Sequence, residues 1–460
     1  MKIGNLGPIQ QATVDFSKLT ILCGANNQGK TYLSYTLYGI LSNIHKMSGG
    51  FFSNDEFKRI INYGSITFDK SDFIDKLITV MEINFNKTKL ELLKRVFKSD
   101  SIGFENVELS ISREEIAEYL NLEAIKSFGI KAASMDLILE VSEKQATILL
   151  TSTNEVADLG KSPMSTTIRF MLNRLIENAI SANNNSFYIP AERIGINVFR
   201  NQLNQNKVEV LDFISNAINS VNKSKNEMNV ELLKSLNQLT EVYPLPISDY
   251  LNYINNIEKY DIDDKSNEIS AFIRSNLIKG RFYVDDATSK SYFRAKMGRT
   301  KYKSDSIPLD ITSSAIKSIY GLDYFFENLD STKHNIIIID EPEMNLHPSN
   351  QTEFAKLIDL IISKGIQVVI STHSDFLVKK IQNIMIRNEL EERSNGLNAS
   401  NVKVYNFEDN TVKEINLLSD SESFDNFDRI IAEIEDEYLD LLEQRASKRD
   451  KLKVNQNESE

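Results

Sequence analysis

The octapeptide Gly24-Ala25-Asn26-Asn27-Gln28-Gly29-Lys30-Thr31 constrains this chain more than any other feature. It fits the pattern G-x-x-x-x-G-K-[ST] without a gap, between an apolar run, Leu19-Thr20-Ile21-Leu22-Cys23, and an amphipathic helix predicted from about Thr31 to Asn43. A glycine-rich turn joining strand to helix aims backbone N–H groups and the positive helix end at one point, which suits a phosphate group. On this reading Gly24, Asn26, Asn27, Gln28, Gly29 and Lys30 cradle the phosphates of a nucleotide. Lys30 reaches the outer oxygens, and the Thr31 hydroxyl ligates Mg²⁺. Eight residues can match by chance, so a ligand-free turn stays open until the rest of such a site is found.

Two further segments supply it. Ile336-Ile337-Ile338-Ile339 runs into Asp340-Glu341-Pro342; four β-branched residues suit a central parallel strand buried on both faces, and the apolar run stops at the carboxylates. At the carboxyl end of such a strand Asp340 is placed to hold Mg²⁺, directly or through water, and Glu341 to orient or deprotonate an attacking water. This is a Walker B pair with an adjacent catalytic glutamate. The same pattern recurs at Ile366 to Ile370, followed by Ser371-Thr372-His373-Ser374, so His373 is expected to point into the same crevice as a γ-phosphate sensor.

The rest of the chain sets the organisation. At 460 residues, 41% hydrophobic and 26% charged, with 65 acidic against 53 basic residues, the composition is that of a globular protein and excludes wholesale disorder. No long apolar run and no signal-peptide pattern at Met1-Lys2-Ile3-Gly4-Asn5 predict a cytoplasmic protein with no membrane segment. A single cysteine, Cys23, rules out an intramolecular disulfide and a multi-thiolate zinc site. Residues 1–160 read as a mixed N-terminal part of an α/β head. Strands are expected at Val80 to Phe85, Val107 to Ile111 and Ala146 to Leu150, and helices at Leu90 to Val96 and Glu114 to Tyr119. Residues 161–280 read as an inserted, mostly helical arm with polar breaks at Asn183 to Ser186 and Val221 to Glu227. Residues 281–420 return to α/β, opening with a strand pair, Arg281 to Asp285 and Ser291 to Ala295, around a turn at Asp285 to Ser289. In 421–460, Phe424, Phe427, Ile431, Ile434, Tyr438, Leu441 and Leu442 fall at helical spacing in an acidic segment, and a polar tail follows Arg445. That helix either packs back on the core or docks a partner chain.

Gly24 to Thr31, Asp340-Glu341-Pro342-Glu343-Met344-Asn345-Leu346-His347-Pro348 and Ser371 to Ser374 together resemble the heads of ATP-binding-cassette ATPases, most closely the RecF, SMC and OLD-like branch. The resemblance is strong over about 1–45 and 305–385, and Pro190-Ala191-Glu192-Arg193 is similar to a segment of OLD-like bacterial ATPases. It implies an α/β P-loop NTPase fold of the ABC-ATPase type, with ATP as substrate and Mg²⁺ as cofactor. It also implies head-to-tail homodimers in which a signature serine of one subunit closes the other's ATP. Ser314, in Ser313-Ser314-Ala315, is the candidate; Ala315 stands where the family usually has glycine, and N-capping by Ser313 is the competing reading. His347 falls in the family's D-loop, at the subunit boundary. No glutamine loop is assigned.

The stretch Lys279 to Lys303 carries Lys279, Arg281, Lys290, Arg294, Lys296, Arg299, Lys301 and Lys303 among interleaved tyrosines. It reads either as nucleic-acid contact or as a solvated ribbon, and the net charge of −12 favours the latter. About sixty residues follow Asn401, too few for the C-terminal nuclease of many OLD-like proteins. The chain therefore resembles the stand-alone ATPase subunits of anti-phage systems of the PARIS and Septu type, which implies a separate effector, a nuclease or toxin. A RecF-like DNA clamp is the alternative, and a nucleotide-gated scaffold that scarcely turns over is a third reading.

Overall fold

A computed structural model of the chain describes residues 1–99, 106–120, 127–132, 135–152, 162–200, 202–203, 243–257, 267–285, 290–298, 301–303, 305–418, 433, 435–442 and 444–445. The break at Val221 to Glu227, most of the turn at Asp285 to Ser289, Arg299, Phe424, Phe427, Ile431, Ile434 and the tail beyond Arg445 lie outside them. The chain divides into two units, Met1–Glu414 and Ile415–Glu460. Among the described residues no helix is long and apolar enough to cross a membrane.

The first unit is a mixed α/β fold around one nine-stranded sheet. Its strand order is Glu108–Ser110, Lys2–Leu6, Ile9–Thr13, Thr411–Ile415, Val402–Glu408, Leu19–Gly24, Gln367–Ser371, His334–Asp340, Asn184–Ile189. From Val402–Glu408 to Asn184–Ile189 every neighbouring pair is parallel. The Ile336 to Ile339 run is at most 4% exposed, as a central strand covered on both faces requires, and each such isoleucine contributes about 2 kcal/mol by leaving water. Pairing of Asp340 with Ser371, and of Ser371 with Leu22, sets the carboxyl ends of three strands level with one another. The phosphate-binding turn, the acid pair and the His373 segment therefore leave the same edge of the sheet, as in parallel α/β sheets that bind ligands there.

Two smaller sheets accompany it. One is antiparallel, Ser65–Asp69, Gln145–Ser152, Met135–Val141 and Ser127–Ala132. The other is the basic ribbon, Gly280–Val284 against Ser291–Met297, with Lys301–Tyr302 and Ile307–Pro308 alongside, close to the expected strand pair.

Two expectations are corrected. Val80 to Phe85 is not a strand: it lies within a helix, Lys70–Phe97. Phe73, Leu77, Ile78, Met81 and Phe85 are buried along one helical face while Ile83 is exposed, so the period is 3.6 and the β-branched residues misled. The break at Asn183 to Ser186 is present but does not separate two helices. The helix Ser162–Asn183 ends there and the strand Asn184–Ile189 begins, joining the main sheet beside His334–Asp340. Its three leading polar residues sit at the half-exposed start of an edge strand, and only Phe187, Tyr188 and Ile189 are buried. The stretch 161–280 thus gives the head an integral strand as well as helices.

Candidate nucleotide site

The strand Leu19–Gly24, buried throughout, delivers the loop to the helix Lys30–Asn43. Gly24 has φ +125°, and a Cβ there would stand 2.3 Å from the Phe407 carbonyl of the neighbouring strand, so only glycine fits. Gly29 caps the helix in the left-handed conformation, Asn27 also has a positive φ, and the Gln28 amide oxygen accepts from the Asn410 N–H. Asn26 and Thr31 are exposed at the loop mouth and at the second helical position. Lys30 is 6% exposed and donates to the Gly24 and Ala25 carbonyls at 2.9 and 2.7 Å. Burial lowers its pKa, opposed by the attraction of Glu341 and Asp340.

Asp340 ends its strand at 3% exposure, and Ser371 from the adjacent strand end donates to its Oδ1. Burial pushes its carboxyl pKa up to about 6 against the pull of the Ser371 hydrogen bond. Glu341 turns the chain out of the sheet at φ +47°, with its N–H on the Ser371 carbonyl at 3.0 Å. Its Oε1 lies 3.7 Å from His373 Nε2. Burial, then the Lys30 charge, lowers the His373 pKa against the pull of Glu341, and this favours the neutral ring. The structure thus brings Lys30, Asp340, Glu341 and His373 into one crevice with the phosphate-binding turn.

Other candidates are placed differently. Ser313 N-caps the helix Ser314–Glu327 by accepting from the Ile316 N–H, which is the competing reading of that segment; Ser314 is exposed at the first helical position. His347 N-caps Pro348–Ser363 and is exposed.

Three contributors carried weak sequence signals. Glu343 accepts from the His373 N–H at 2.6 Å, tying the acid segment to the histidine segment, and burial raises its pKa. Ser371 orients Asp340. Arg193, in Pro190-Ala191-Glu192-Arg193, is 2% exposed and donates to the Asp340 and Glu341 carbonyls. An arginine beyond a strand end reads as a surface residue, and only the apolar Phe187-Tyr188-Ile189 just before it pointed inward.

The residues present fit a Mg²⁺ ion: a hydroxyl at Thr31 and a carboxylate at Asp340, one of whose oxygens is already engaged by Ser371. Among the described residues no three His, Cys, Asp or Glu gather as a metal cage; a Mg²⁺ ion held here would take its other ligands from phosphate and water. That role needs Asp340 ionised. Because its folded pKa is raised, its contribution to the stability of the metal-free protein is full below the ordinary carboxylate pKa and is lost as pH rises through about 6. Denaturant titrations from pH 4 to 7 should show metal-free wild type losing on the order of 2–3 kcal/mol relative to Asp340→Asn. A difference between the two that stays constant with pH contradicts the raised pKa.

Sheet order, phosphate-binding turn and paired carboxylates define a P-loop ATPase. The family model of the AAA ATPase domain matches residues 1–378, and the chain belongs to that family. No curated protein matches it. Among solved structures it is similar to the Smc head domain with an extended coiled coil bound to the C-terminal domain of ScpA, from Pyrococcus furiosus. That match has 14% identity and a TM-score of 0.29, covering 94% of this chain and 98% of that one. The SmcHead bound to the C-winged helix domain of ScpA gives 12% identity and a TM-score of 0.33, covering 90% and 96%. The SMC head domain from Thermotoga maritima gives 10% and 0.29, covering 90% and 97%.

Proposed function

We propose that the protein is a Mg²⁺-dependent cytoplasmic ATPase whose ATP-driven opening and closing controls a separate effector, a nuclease or toxin, in anti-phage defence. The observation that carries the ATPase half is the level alignment of three strand ends, which sets Asp340 and Glu341 beside Lys30 and His373. Lys30 and the loop N–H groups hold the phosphates. Glu341 takes the proton of the attacking water, and neutral His373 donates to the γ-phosphate. Thr31 and Asp340 would hold a Mg²⁺ ion, which would supply neutralisation of the phosphate charge. The output is conformational, through head-to-tail dimers or higher oligomers in which Ser314 faces a partner subunit's ATP. Support for a protein partner comes from the C-terminal unit, where Tyr438, Leu439 and Leu441 are exposed, large apolar side chains of a helical segment.

A RecF-like DNA clamp is the second reading, supported by the ribbon: the Arg294 guanidinium lies 4.4 Å over the Tyr283 ring, which stacks on Tyr292. Affinity capture of tagged Glu341→Gln protein from its native host, before and after phage infection, separates the two. Stoichiometric recovery of a nuclease or toxin is the expected result. Recovery of DNA with repair proteins and no effector moves the assignment to the clamp.

A further inference from the structure

Arg193 is the largest fully buried side chain in the molecule's described part, and its guanidinium meets no carboxylate within hydrogen-bond reach among the bonds it makes. One terminal nitrogen donates to the Asp340 carbonyl at 2.8 Å and to the Pro190 carbonyl at 3.1 Å; the other donates to the Glu341 carbonyl at 2.7 Å. Burying a charge to satisfy backbone oxygens is costly, so what it gains is geometric. The Asp340 carbonyl belongs to the peptide before the Glu341 Cα and the Glu341 carbonyl to the peptide after it. Holding both planes fixes φ and ψ at Glu341, and with them the direction of its Cα–Cβ bond. That residue needs holding, because φ is +47°, a region that side-chain-bearing L residues avoid. The Ser371 carbonyl, which accepts from the Glu341 N–H, is the third restraint.

We propose that Arg193 is a positioning residue for ATP hydrolysis: a two-pronged clamp on the peptides flanking Glu341 that aims its carboxylate at the crevice shared with Lys30 and His373. This rests on the ATPase reading given above. The planar fork matters, because a lysine ammonium cannot span two carbonyls in fixed directions. Nor is Arg193 the only anchor of its own segment. Asn197, on the same short helix, donates to the Lys317 carbonyl at 2.9 Å and accepts from the Tyr250 hydroxyl at 3.1 Å, so the helix keeps its seat when the guanidinium is removed.

The test compares Arg193→Lys and Arg193→Gln with wild type by ATP binding, KM and kcat, alone and in the Glu341→Gln background. The expected result is a kcat lower by ~100-fold, the size of effect that a misplacement of about an ångström produces, with ATP affinity and KM within about threefold. In the Glu341→Gln background the added Arg193→Gln change should alter the residual rate less than about twofold, since its effect passes through Glu341. Full activity in either folded variant, a loss that appears in KM and affinity instead, or losses that multiply in the double variant would overturn the proposal. If Arg193→Gln does not fold, Arg193→Lys decides by the same criteria. A wild type that releases no phosphate removes the ATPase reading itself, whereas active wild type with equally active Arg193→Lys removes the clamp alone.

Discussion

Glu341→Gln protein should bind ATP as tightly as wild type and hydrolyse it ~10²–10⁴-fold more slowly, the range that a positioned general base supplies. Glutamine keeps the shape and hydrogen-bonding reach of the side chain, so the Ser371 and Arg193 contacts to the Glu341 backbone persist. What disappears is the ability to accept a proton from water. Nucleotide binding by calorimetry and phosphate release by a continuous assay check the two halves separately. A parallel loss of binding and turnover would mean that Glu341 holds nucleotide and is not the base.

The second large effect is at Lys30. Its ammonium already makes two short hydrogen bonds to loop carbonyls, and its neighbours Asp340 and Glu341 favour the charged form against the burial that opposes it. A donor held so close to the loop exchanges carbonyl oxygens for phosphate oxygens with little rearrangement. Lys30→Ala removes charge-assisted hydrogen bonds worth about 3 kcal/mol, which is a loss of ~100-fold in ATP affinity. The fold should survive, because the helix Lys30–Asn43 is seated by Leu33, Leu37 and Ile40, all buried, and not by the ammonium. Equilibrium binding of a fluorescent ATP analogue, with circular dichroism as the folding control, reads both quantities. Unchanged affinity would show that the loop amides alone carry the phosphates.

The parts of this site that lie at strand ends were legible because each is written locally. An apolar run that stops at Gly24, at Asp340 or at Ser371 announces both the strand and what stands at its tip. Their convergence was expected from the rule that parallel strands gather their carboxyl ends at one edge, and from the resemblance to a known class of ATPase head; the physical cause is the register that pairs Asp340 with Ser371 and Ser371 with Leu22. The edge strand Asn184–Ile189 was hidden because its half-exposed first half is asparagine and serine. The helix Lys70–Phe97 was misread at Val80 to Phe85 because β-branched residues there sit on its less buried face. Arg193 escaped a role because nothing local reports that two carbonyls from a strand end some 150 residues away will meet a guanidinium. Ser313 shows the converse: a cap is written in the helix start itself, and the structure has it capping.

The central claim, that Lys30, Asp340, Glu341 and His373 form a working ATPase centre, is tested most directly by steady-state phosphate release from purified wild-type protein with ATP and Mg²⁺, run beside Glu341→Gln and beside wild type in EDTA. Full turnover is expected in wild type with Mg²⁺, and only a residual rate in Glu341→Gln or in EDTA. Equal rates in wild type and Glu341→Gln, or tight ATP binding by wild type with no turnover even when its captured partner is restored, would contradict it and leave a nucleotide-gated scaffold in its place.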